Sequence, residues 1–371
     1  MRTLIVGDIH GCVEEFRELL DRAGLADDDA VIAVGDLVDR GPDPAGVVRF
    51  FRDCSRARSV MGNHERKHVR WARGEIRPAL SQRITRIQMG DDTWREAIPW
   101  MERLPLYIEL PECIIVHGFW EPGVPLAAQR ETVLCGTMSG MLYIEDRYER
   151  PTGRRWYELY DGEKPLVVGH LDYTGTGEPL IYRDRVYAID TGVATGGWLT
   201  GLVLPEFRIV RVRARRNHWR EVRARHVPLL YISRKDEDLT WEEAEAVALG
   251  ADRTDLPEDV RTRAARVRRT LTEAEHRIER LYAELTAECA RILEELRGEH
   301  PDWDALDPRT QGNLFTQRVG VGERARLLHL ARKGKLTVKY LRHRTGGPFR
   351  VDAYIRRRLG MRPDEEAFYR S

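Results

Sequence analysis

Three short motifs near the start of the chain combine glycine with side chains that bind metal ions. They are GDIHG at residues 7–11, GDLVDRG at 35–41 and GNHE at 62–65. Together they supply carboxylate, imidazole and amide groups, which suit borderline divalent ions such as Mn, Fe or Zn. The sequence therefore predicts a site for divalent metal ions, with Mn as the first choice and Fe or Zn as alternatives.

Each motif follows a short apolar segment that is typical of a β-strand. The three segments are Thr3–Val6, Ala30–Val34 and Arg58–Met61, and each is closed by glycine. The amphipathic stretches Val13–Ala23 and Pro44–Arg52 lie between them and predict helices. Alternating strands and helices predict a parallel, buried sheet, and such sheets bind ligands at the carboxyl ends of their strands. We expect the three motifs to meet at that edge.

Later apolar strands also end in residues that bind metals, namely His117 and His170. The predicted later strands are joined by turns, and they are Glu112–Val116, Leu166–Val168, Arg185–Ile189, Trp198–Leu204 and Phe207–Arg213. An α/β sandwich of two sheets flanked by helices fits both halves of this region. The interval 70–105 is predicted to be a helical insertion that caps the site.

Each candidate residue also has an ordinary structural explanation when it is taken alone. Asp36 would be a helix N-cap, His117 a hydrogen-bonded core histidine, and Arg40 a surface ion-pair partner. The DTG sequence at 190–192 suits a simple turn. Because ligand-type residues recur at the ends of several strands, the joint pattern favours a metal site.

The combined motifs resemble those of the calcineurin-like metallophosphoesterases over about residues 1–215. The similar branch holds protein serine/threonine phosphatases, symmetrical dinucleoside tetraphosphate hydrolases and the phosphatase module of bacterial polynucleotide kinase-phosphatases. The resemblance implies a site with two metal ions and the following ligands: Asp8 and His10 for the first metal, Asp36 as the bridge, and Asn63, His117 and His170 for the second. It also implies catalytic and neighbouring roles: His64 as general acid, Asp39 as its orienting partner, Arg40 as the phosphate-binding group and Asp190 at the edge of the site.

The same resemblance implies an enzyme that hydrolyses phosphate esters by in-line attack of a metal-bound hydroxide. Two cations about 3.5–4 Å apart can activate a water and clamp the attacking and leaving oxygens. Phosphomonoesters of protein serine or threonine are the first expected substrates. The alternatives are a hydrolase of dinucleoside polyphosphates or of RNA or DNA end phosphates, and a non-catalytic scaffold that binds nucleic acid or protein. The His64–Asp39 pair argues against a scaffold, which has no need of a general acid.

Two segments beside the predicted site depart from the family pattern. Phe119–Trp120 follows His117–Gly118 where the family has a small residue, and we expect both rings to pack in the core rather than stack on a base. After His170 the chain continues with the unusual segment 171–175, LDYTG. Both segments border the predicted pocket, so these departures bear on the leaving group and not on the metal ligands.

Beyond about residue 230 the pattern of apolar residues changes to a helical one. We divide the chain into a metallophosphoesterase domain at 1–218 and a mainly helical domain at 219–371. Apolar residues at alternating steps of four and three predict one long, heptad-like helix at about 257–298. We expect helices of the same chain to cover its apolar stripe, and an oligomer is the alternative. Shorter helices separated by glycines are predicted for 309–371.

Charge and composition limit the remaining function classes. Lys and Arg number 61 against 60 Asp and Glu, so the whole chain is not a polycation. Basic residues are concentrated at 207–226 and 332–358, and nucleic-acid contact through the basic C-terminal region is an alternative to a solvated surface. The five scattered cysteines contain no CxxC pair, which favours a reduced cytoplasmic setting. A strand that begins at Thr3 leaves no room for a signal peptide, and no apolar run approaches the roughly 20 residues of a membrane span.

Overall fold

The computed structural model describes residues 2–231 and 234–361. The chain forms two compact units, the first at residues 1–222 and the second beginning at Arg223. The sequence had placed the division at residue 218, four residues earlier.

The first unit contains two β-sheets built from eleven strands in its described residues. The strands are β1 (Thr3–Val6), β2 (Ala30–Ala33), β3 (Ala57–Ser59), β4 (Tyr107–Glu109), β5 (Ile114–Val116), β6 (Leu166–Val168), β7 (Leu180–Tyr182), β8 (Val186–Ala188), β9 (Asp190–Thr191), β10 (Trp198–Leu204) and β11 (Arg208–Arg213). Three of them, β1, β6 and β10, have the predicted bounds. The predicted third strand is wrong in its bounds, because β3 begins one residue earlier and ends at Ser59.

The two sheets each contain three parallel strands side by side. The first sheet has the order β11–β10–β1–β2–β3, with β9 paired to β10, and β1, β2 and β3 are parallel. The second has the order β4–β5–β6–β8–β7, with β5, β6 and β8 parallel. Antiparallel neighbours complete both sheets, so each is mixed.

Alternating residues of the strands divide the core of the first unit into three apolar layers. Ile5 and Ile32 of the first sheet share the central layer with Ile115 and Val167 of the second. The residues next to them in sequence face outward, where they pack against flanking helices on either side. This arrangement confirms the predicted α/β sandwich flanked by helices.

Among the described residues, the first unit has eight α-helices, and a ninth spans the boundary between the two units. They are α1 (Val13–Ala23), α2 (Pro44–Asp53), α3 (Asn63–Ala72), α4 (Leu80–Met89), α5 (Asp91–Glu102), α6 (Glu131–Leu134), α7 (Met138–Ile144), α8 (Arg150–Thr152) and α9 (His218–Leu230). Helix α1 matches the prediction, and α2 extends one residue further than predicted. The interval 70–105 is mainly helical, as predicted, and contains the end of α3 with α4 and α5, separated by a non-helical stretch at 73–79. Its role as a cap stays a prediction.

The second unit is helical in its described residues. Its helices are α10 (Trp241–Ala248), α11 (Glu258–Glu299), α12 (Pro308–Val319), α13 (Glu323–Arg332), α14 (Val338–Thr345) and α15 (Val351–Leu359). Helix α11 is the predicted long helix, and its apolar stripe from Val260 to Leu296 is buried. Helices α10 and α12–α15 pack against it, so helices of the same chain cover the stripe. Within residues 2–231 and 234–361, no helix combines the length and apolar character that crossing a membrane requires.

The arginine-rich strand β11 has one apolar face and one basic face. Val210 and Val212 are buried, whereas Arg211 forms an ion pair with Glu178 at 2.6 Å. In the second unit, Arg344 forms an ion pair with Glu323 at 2.7 Å. Acidic groups of the chain therefore neutralise part of both basic segments, and their contact with nucleic acid stays a prediction.

Candidate metal centre

Six parallel strands, three from each sheet, carry the predicted site residues at their carboxyl ends. Each strand is followed within four residues by one of these side chains: Asp8 after β1, Asp36 after β2, Asn63 after β3, His117 after β5, His170 after β6 and Asp190 after β8. Because these ends converge on one edge of the sandwich, residues far apart in sequence become neighbours.

The Asp36 carboxylate lies at the centre of this group. Its Oδ1 lies 3.3 Å from Nε2 of His117, and its Oδ2 lies 3.6 Å from Nε2 of His10 and 3.8 Å from Nε2 of His64. Asp36 belongs to two sets whose ligand atoms all lie within 4.8 Å of one another, one with His10 and His64 and the other with His117 and His170. It is therefore placed to share its two oxygens between two ions.

Backbone carbonyls fix the tautomers of two of these histidines. Nδ1 of His10 donates to the carbonyl of Val38 at 2.8 Å, and Nδ1 of His117 donates to the carbonyl of Val34 at 2.9 Å. Burial lowers the pKa of both imidazoles, so both are neutral near pH 7. Each Nε2 therefore presents a lone pair to the centre, as metal-binding histidines do.

Acceptor atoms consequently face one another around Asp36. Nε2 of His117 lies 2.9 Å from Oδ1 of Asn63, which in turn lies 3.1 Å from Nδ1 of His170. Burial lowers the pKa of His170 to about 3. A carboxylate, an amide oxygen and neutral imidazoles in this arrangement fit borderline divalent cations.

Two further carboxylates give the site an excess of buried negative charge. Both oxygens of Asp8 lie 3.2 Å from the backbone N–H of His170, and Oδ1 of Asp190 accepts the N–H of Gly192 at 3.0 Å. Burial raises the pKa of Asp8, and the charges of Asp190 and Asp36 raise it further. Burial also raises the pKa of Asp190 to about 6. Bound cations would relieve this repulsion, so the residues present fit such ions.

The Arg40 guanidinium connects two histidines across the site. Its Nη1 donates to Nε2 of His10 at 2.9 Å, and its Nη2 donates to Nε2 of His64 at 3.1 Å. A planar guanidinium in this position can also donate two parallel hydrogen bonds to a phosphoryl group.

Asp39 is completely buried and forms a short hydrogen bond with His64. Nδ1 of His64 donates to Oδ2 of Asp39 at 2.5 Å. Three more side chains donate to the same carboxylate: His68 and Thr85 to Oδ1, and Gln82 to Oδ2. Burial alone would raise the pKa of Asp39, but His68 and His64 hold it well below its ordinary value. Asp39 therefore stays ionised and orients His64.

Glu65, the last residue of the GNHE motif, joins two of the site loops. Its carboxylate accepts four backbone N–H groups, from Gly62 at 3.0 Å, Asp36 at 2.9 Å, Leu37 at 2.9 Å and Val38 at 3.3 Å. These bonds hold the loop after β2 against the start of α3 and so fix the main chain of Asp36.

The backbone of the site is strained. Five of the eight non-glycine residues with positive φ in residues 2–231 and 234–361 belong to it: His10, Asp36, Asp39, Arg40 and His170, with φ between 48° and 73°. Each such residue costs about 1–3 kcal/mol and persists only where surrounding contacts hold it, which is typical of functional sites.

The structure places all ten predicted residues at this one edge, and their individual metal and catalytic roles stay predictions. Sequence reasoning assigned no role to five buried residues that support the site: Glu65, His68, Gln82, Thr85 and Trp94. The sequence did contain a signal for His68, because it lies one helical turn after His64 and so shares a face of α3 with it. Phe119 and Trp120 are 2% and 3% exposed, which confirms the prediction that they pack in the core.

This sandwich, with a ligand-type residue after each of six parallel strands, defines the metallophosphoesterase class of hydrolases. The profile of the calcineurin-like phosphoesterases matches residues 1–191, just over half of the chain. The chain belongs to the calcineurin-like phosphoesterase family, and it is a hydrolase of phosphate esters.

Three curated relatives of the chain are named bis(5'-nucleosyl)-tetraphosphatases. The chain is 31% identical over 236 residues to the asymmetrical bis(5'-nucleosyl)-tetraphosphatase PrpE of Halalkalibacterium halodurans, covering 57% of this chain and 93% of that protein. It is 29% identical over 233 residues to the PrpE of Bacillus subtilis, covering 56% of this chain and 93% of that protein. It is 38% identical over 174 residues to a symmetrical bis(5'-nucleosyl)-tetraphosphatase of Shewanella baltica, covering 46% of this chain and 62% of that protein.

Proposed function

We propose that the chain hydrolyses dinucleoside tetraphosphates with two divalent cations held on either side of Asp36. The observation that carries this proposal is the position of Asp36, whose two oxygens face His117 on one side and His10 on the other. The names of the relatives support the nucleotide substrate.

The remaining ligands divide into two sets around Asp36. Asp8 and His10 would hold the first cation with one oxygen of Asp36, and Asn63, His117 and His170 would hold the second with the other. When bound, the two cations supply the positive charge that activates a water and neutralises the phosphoryl oxygens. Mn²⁺ is the proposed metal, because imidazole and carboxylate ligands together suit it, and Fe and Zn have the same ligand preferences in part.

Three side chains of this site would act on the substrate or on its leaving group. Arg40 would bind two oxygens of the phosphoryl group that is transferred. With Arg40 bound to the phosphoryl group instead of to Nε2, protonated His64 would donate a proton from Nε2 to the leaving oxygen while its Nδ1–H stays bonded to Asp39. Asp190, at the edge of the site beside Asp8, would repel anions that approach without a cation.

The nucleotide proposal replaces the protein serine/threonine phosphatase as the first expectation. Sequence motifs alone do not separate the two activities, because both branches share the motifs. The relatives favour the nucleotide, and the asymmetrical ones are covered over 93% of their length.

A substrate comparison tests this proposal. The Mn²⁺-loaded protein is incubated with diadenosine tetraphosphate and, separately, with a phosphothreonine peptide. We expect rapid release of mononucleotides and slow release of phosphate from the peptide. ATP with AMP would show asymmetrical cleavage, and two ADP molecules would show symmetrical cleavage. Rapid turnover of the peptide beside an inert dinucleotide would reject the proposal in favour of a protein phosphatase.

A further inference from the structure

Helices α3, α4 and α5 contribute a buried hydrogen-bond network around Asp39. Nε2 of His68 lies 2.9 Å from Oδ1 of Asp39, and Oγ1 of Thr85 donates to the same oxygen at 2.7 Å. The indole N–H of Trp94 donates to Nδ1 of His68 at 2.9 Å. His68, Asp39 and Thr85 are completely buried, and Trp94 is 5% exposed. Helices α3, α4 and α5 therefore each contribute a residue to this network.

The direction of every hydrogen bond in the network is determined by chemistry. An indole nitrogen can only donate, so Nδ1 of His68 must accept. His68 therefore carries its proton on Nε2 and donates it to Oδ1 of Asp39. Because Thr85 also donates to Oδ1, that oxygen accepts two hydrogen bonds, one from His68 and one from Thr85. Oδ2 of Asp39 accepts hydrogen bonds from Nε2 of Gln82 and from Nδ1 of His64, because an ionised carboxylate can only accept.

We propose that His68, with its tautomer set by Trp94, is a positioning residue that orients Asp39 and through it aims Nε2 of His64 at the leaving group. The proposal rests on the general-acid role of His64 in the proposed function. In that step a water oxygen forms the new bond to phosphorus and releases a proton to the solvent. The bond between phosphorus and the leaving oxygen breaks, and protonated His64 passes its Nε2 proton to that oxygen. His68 touches neither the substrate nor the reacting atoms.

Packing contacts alone do not require this hydrogen-bond pattern. Trp94 also stacks with Trp71, at 4.8 Å between ring centroids, and the Arg86 guanidinium lies 4.7 Å from the Trp94 ring. Those contacts depend on the aromatic ring and would be kept by phenylalanine. The N–H group of Trp94 is what a phenylalanine lacks, so the substitution separates the two roles.

The test compares two aryl phosphates that differ in the leaving group. p-Nitrophenol leaves readily without a proton, whereas phenol depends on a general acid. For Trp94→Phe in the Mn²⁺-loaded protein, we expect kcat on phenyl phosphate to fall about tenfold or more, with KM unchanged. Turnover of p-nitrophenyl phosphate should fall less than about twofold. The matched control is Trp71→Phe, a neighbouring aromatic of the same insertion, which should leave both rates near those of the wild type.

A second pair of variants tests His68 itself. His68→Met removes the donor to Asp39 and should show the same leaving-group dependence more strongly. His68→Gln supplies an amide N–H near the position of Nε2 and should recover part of the rate on phenyl phosphate. If either substitution lowers the melting temperature too far, Thr85→Val removes one donor to the same oxygen at smaller structural cost and should give a weaker form of the same pattern.

A double-mutant cycle decides whether His68 and Trp94 act through His64. In a His64→Ala background, Trp94→Phe should cause no further loss on phenyl phosphate. Losses that multiply in the double variant, or equal losses on both esters in every single variant, would overturn the positioning role. Inactivity of the wild type towards diadenosine tetraphosphate and both aryl esters would instead reject the proposed function, so the two failures are distinguishable.

Discussion

Oδ1 of Asp36 lies 3.3 Å from Nε2 of His117, although neither atom carries a proton that could join them. Nδ1 of His117 holds the single proton of that ring and donates it to Val34. Two lone pairs therefore point at each other in a completely buried place. A cation between them removes the repulsion, and this relationship underlies the assignment of Asp36 as a bridging ligand.

Replacing Arg40 should weaken both the binding of the substrate and the stabilisation of the transition state. The guanidinium reaches both His10 and His64, and an ammonium group cannot make two parallel hydrogen bonds to a phosphoryl group. We expect kcat/KM for diadenosine tetraphosphate to fall about 100-fold in Arg40→Ala and to recover little in Arg40→Lys. Steady-state kinetics measure both, with the exposed Arg49→Ala as control. Full recovery by lysine would show that charge alone is needed.

Substituting Gly62 should damage the site through Asp36. A Cβ on Gly62 would lie 2.2 Å from Oδ1 and 2.5 Å from the backbone nitrogen of Asp36, so the carboxylate must move. Gly62→Ala should therefore cost about 1–3 kcal/mol of stability and lower activity about 100-fold. Gly298→Ala in α11 is the matched control, because a Cβ there meets no atom within 4 Å. Equal activity of the two variants would contradict the close approach of Gly62 to Asp36.

The buried Glu15 should make stability depend on acid pH. Its Oε1 accepts Nε2–H of His218 at 2.7 Å and the N–H of Arg215 at 3.1 Å. Burial alone would raise the pKa of Glu15, but the hydrogen bond with His218 and the Arg215 amide lower it below 4.5 in the folded state. A depressed carboxyl pKa contributes stability above the unfolded value, and this contribution is lost as the pH falls through the folded value.

Glu15→Gln should therefore lower the melting temperature at neutral pH and differ less from the wild type as the pH falls below 4.5. Thermal unfolding followed by circular dichroism between neutral and acid pH measures this difference. Asp21→Asn changes an exposed carboxylate on the same helix and should give a small effect at every pH. A constant difference for Glu15→Gln across the range would mean that the carboxylate charge is not involved.

The apolar stripe of α11 should contribute to the stability of a single chain. Leu285 is completely buried by helices of its own chain. Leu285→Ala should cost about 2–5 kcal/mol, independently of protein concentration. Denaturant unfolding at two concentrations checks this, with the exposed Glu279→Ala as control. A loss that changes with concentration would indicate that the stripe is covered by a second copy.

The periodicity of the sequence was sufficient for most of the fold. Strands β1, β6 and β10 and helix α1 have their predicted bounds, because apolar alternation and glycine closures mark them clearly. The short strands β4 and β7 escaped prediction, since Tyr107–Glu109 and Leu180–Tyr182 are only three residues long and are defined by their antiparallel pairing with β5 and β8.

The site residues that follow strands were predictable from the sequence. The residues that hydrogen-bond to them from a distant helix were missed. Asp36 and His117 stand in or beside recognisable motifs. Gln82 and Thr85 have no local signal, because their role exists only once α4 packs behind Asp39. The positive φ of Asp36 is held by tertiary contacts such as the hydrogen bond from its N–H to Glu65, which no local pattern predicts.

The central claim is that cations bridged by Asp36 carry out the hydrolysis, and metal reconstitution tests it most directly. Protein treated with a chelator is titrated with Mn²⁺ while bound metal and cleavage of diadenosine tetraphosphate are measured together. We predict that wild-type activity disappears with the chelator and returns as two ions bind, and that Asp36→Asn loses at least ~1,000-fold in activity at any Mn²⁺ concentration. Cleavage that persists in the metal-free protein, or an Asp36→Asn variant that regains full activity with Mn²⁺, would contradict this account.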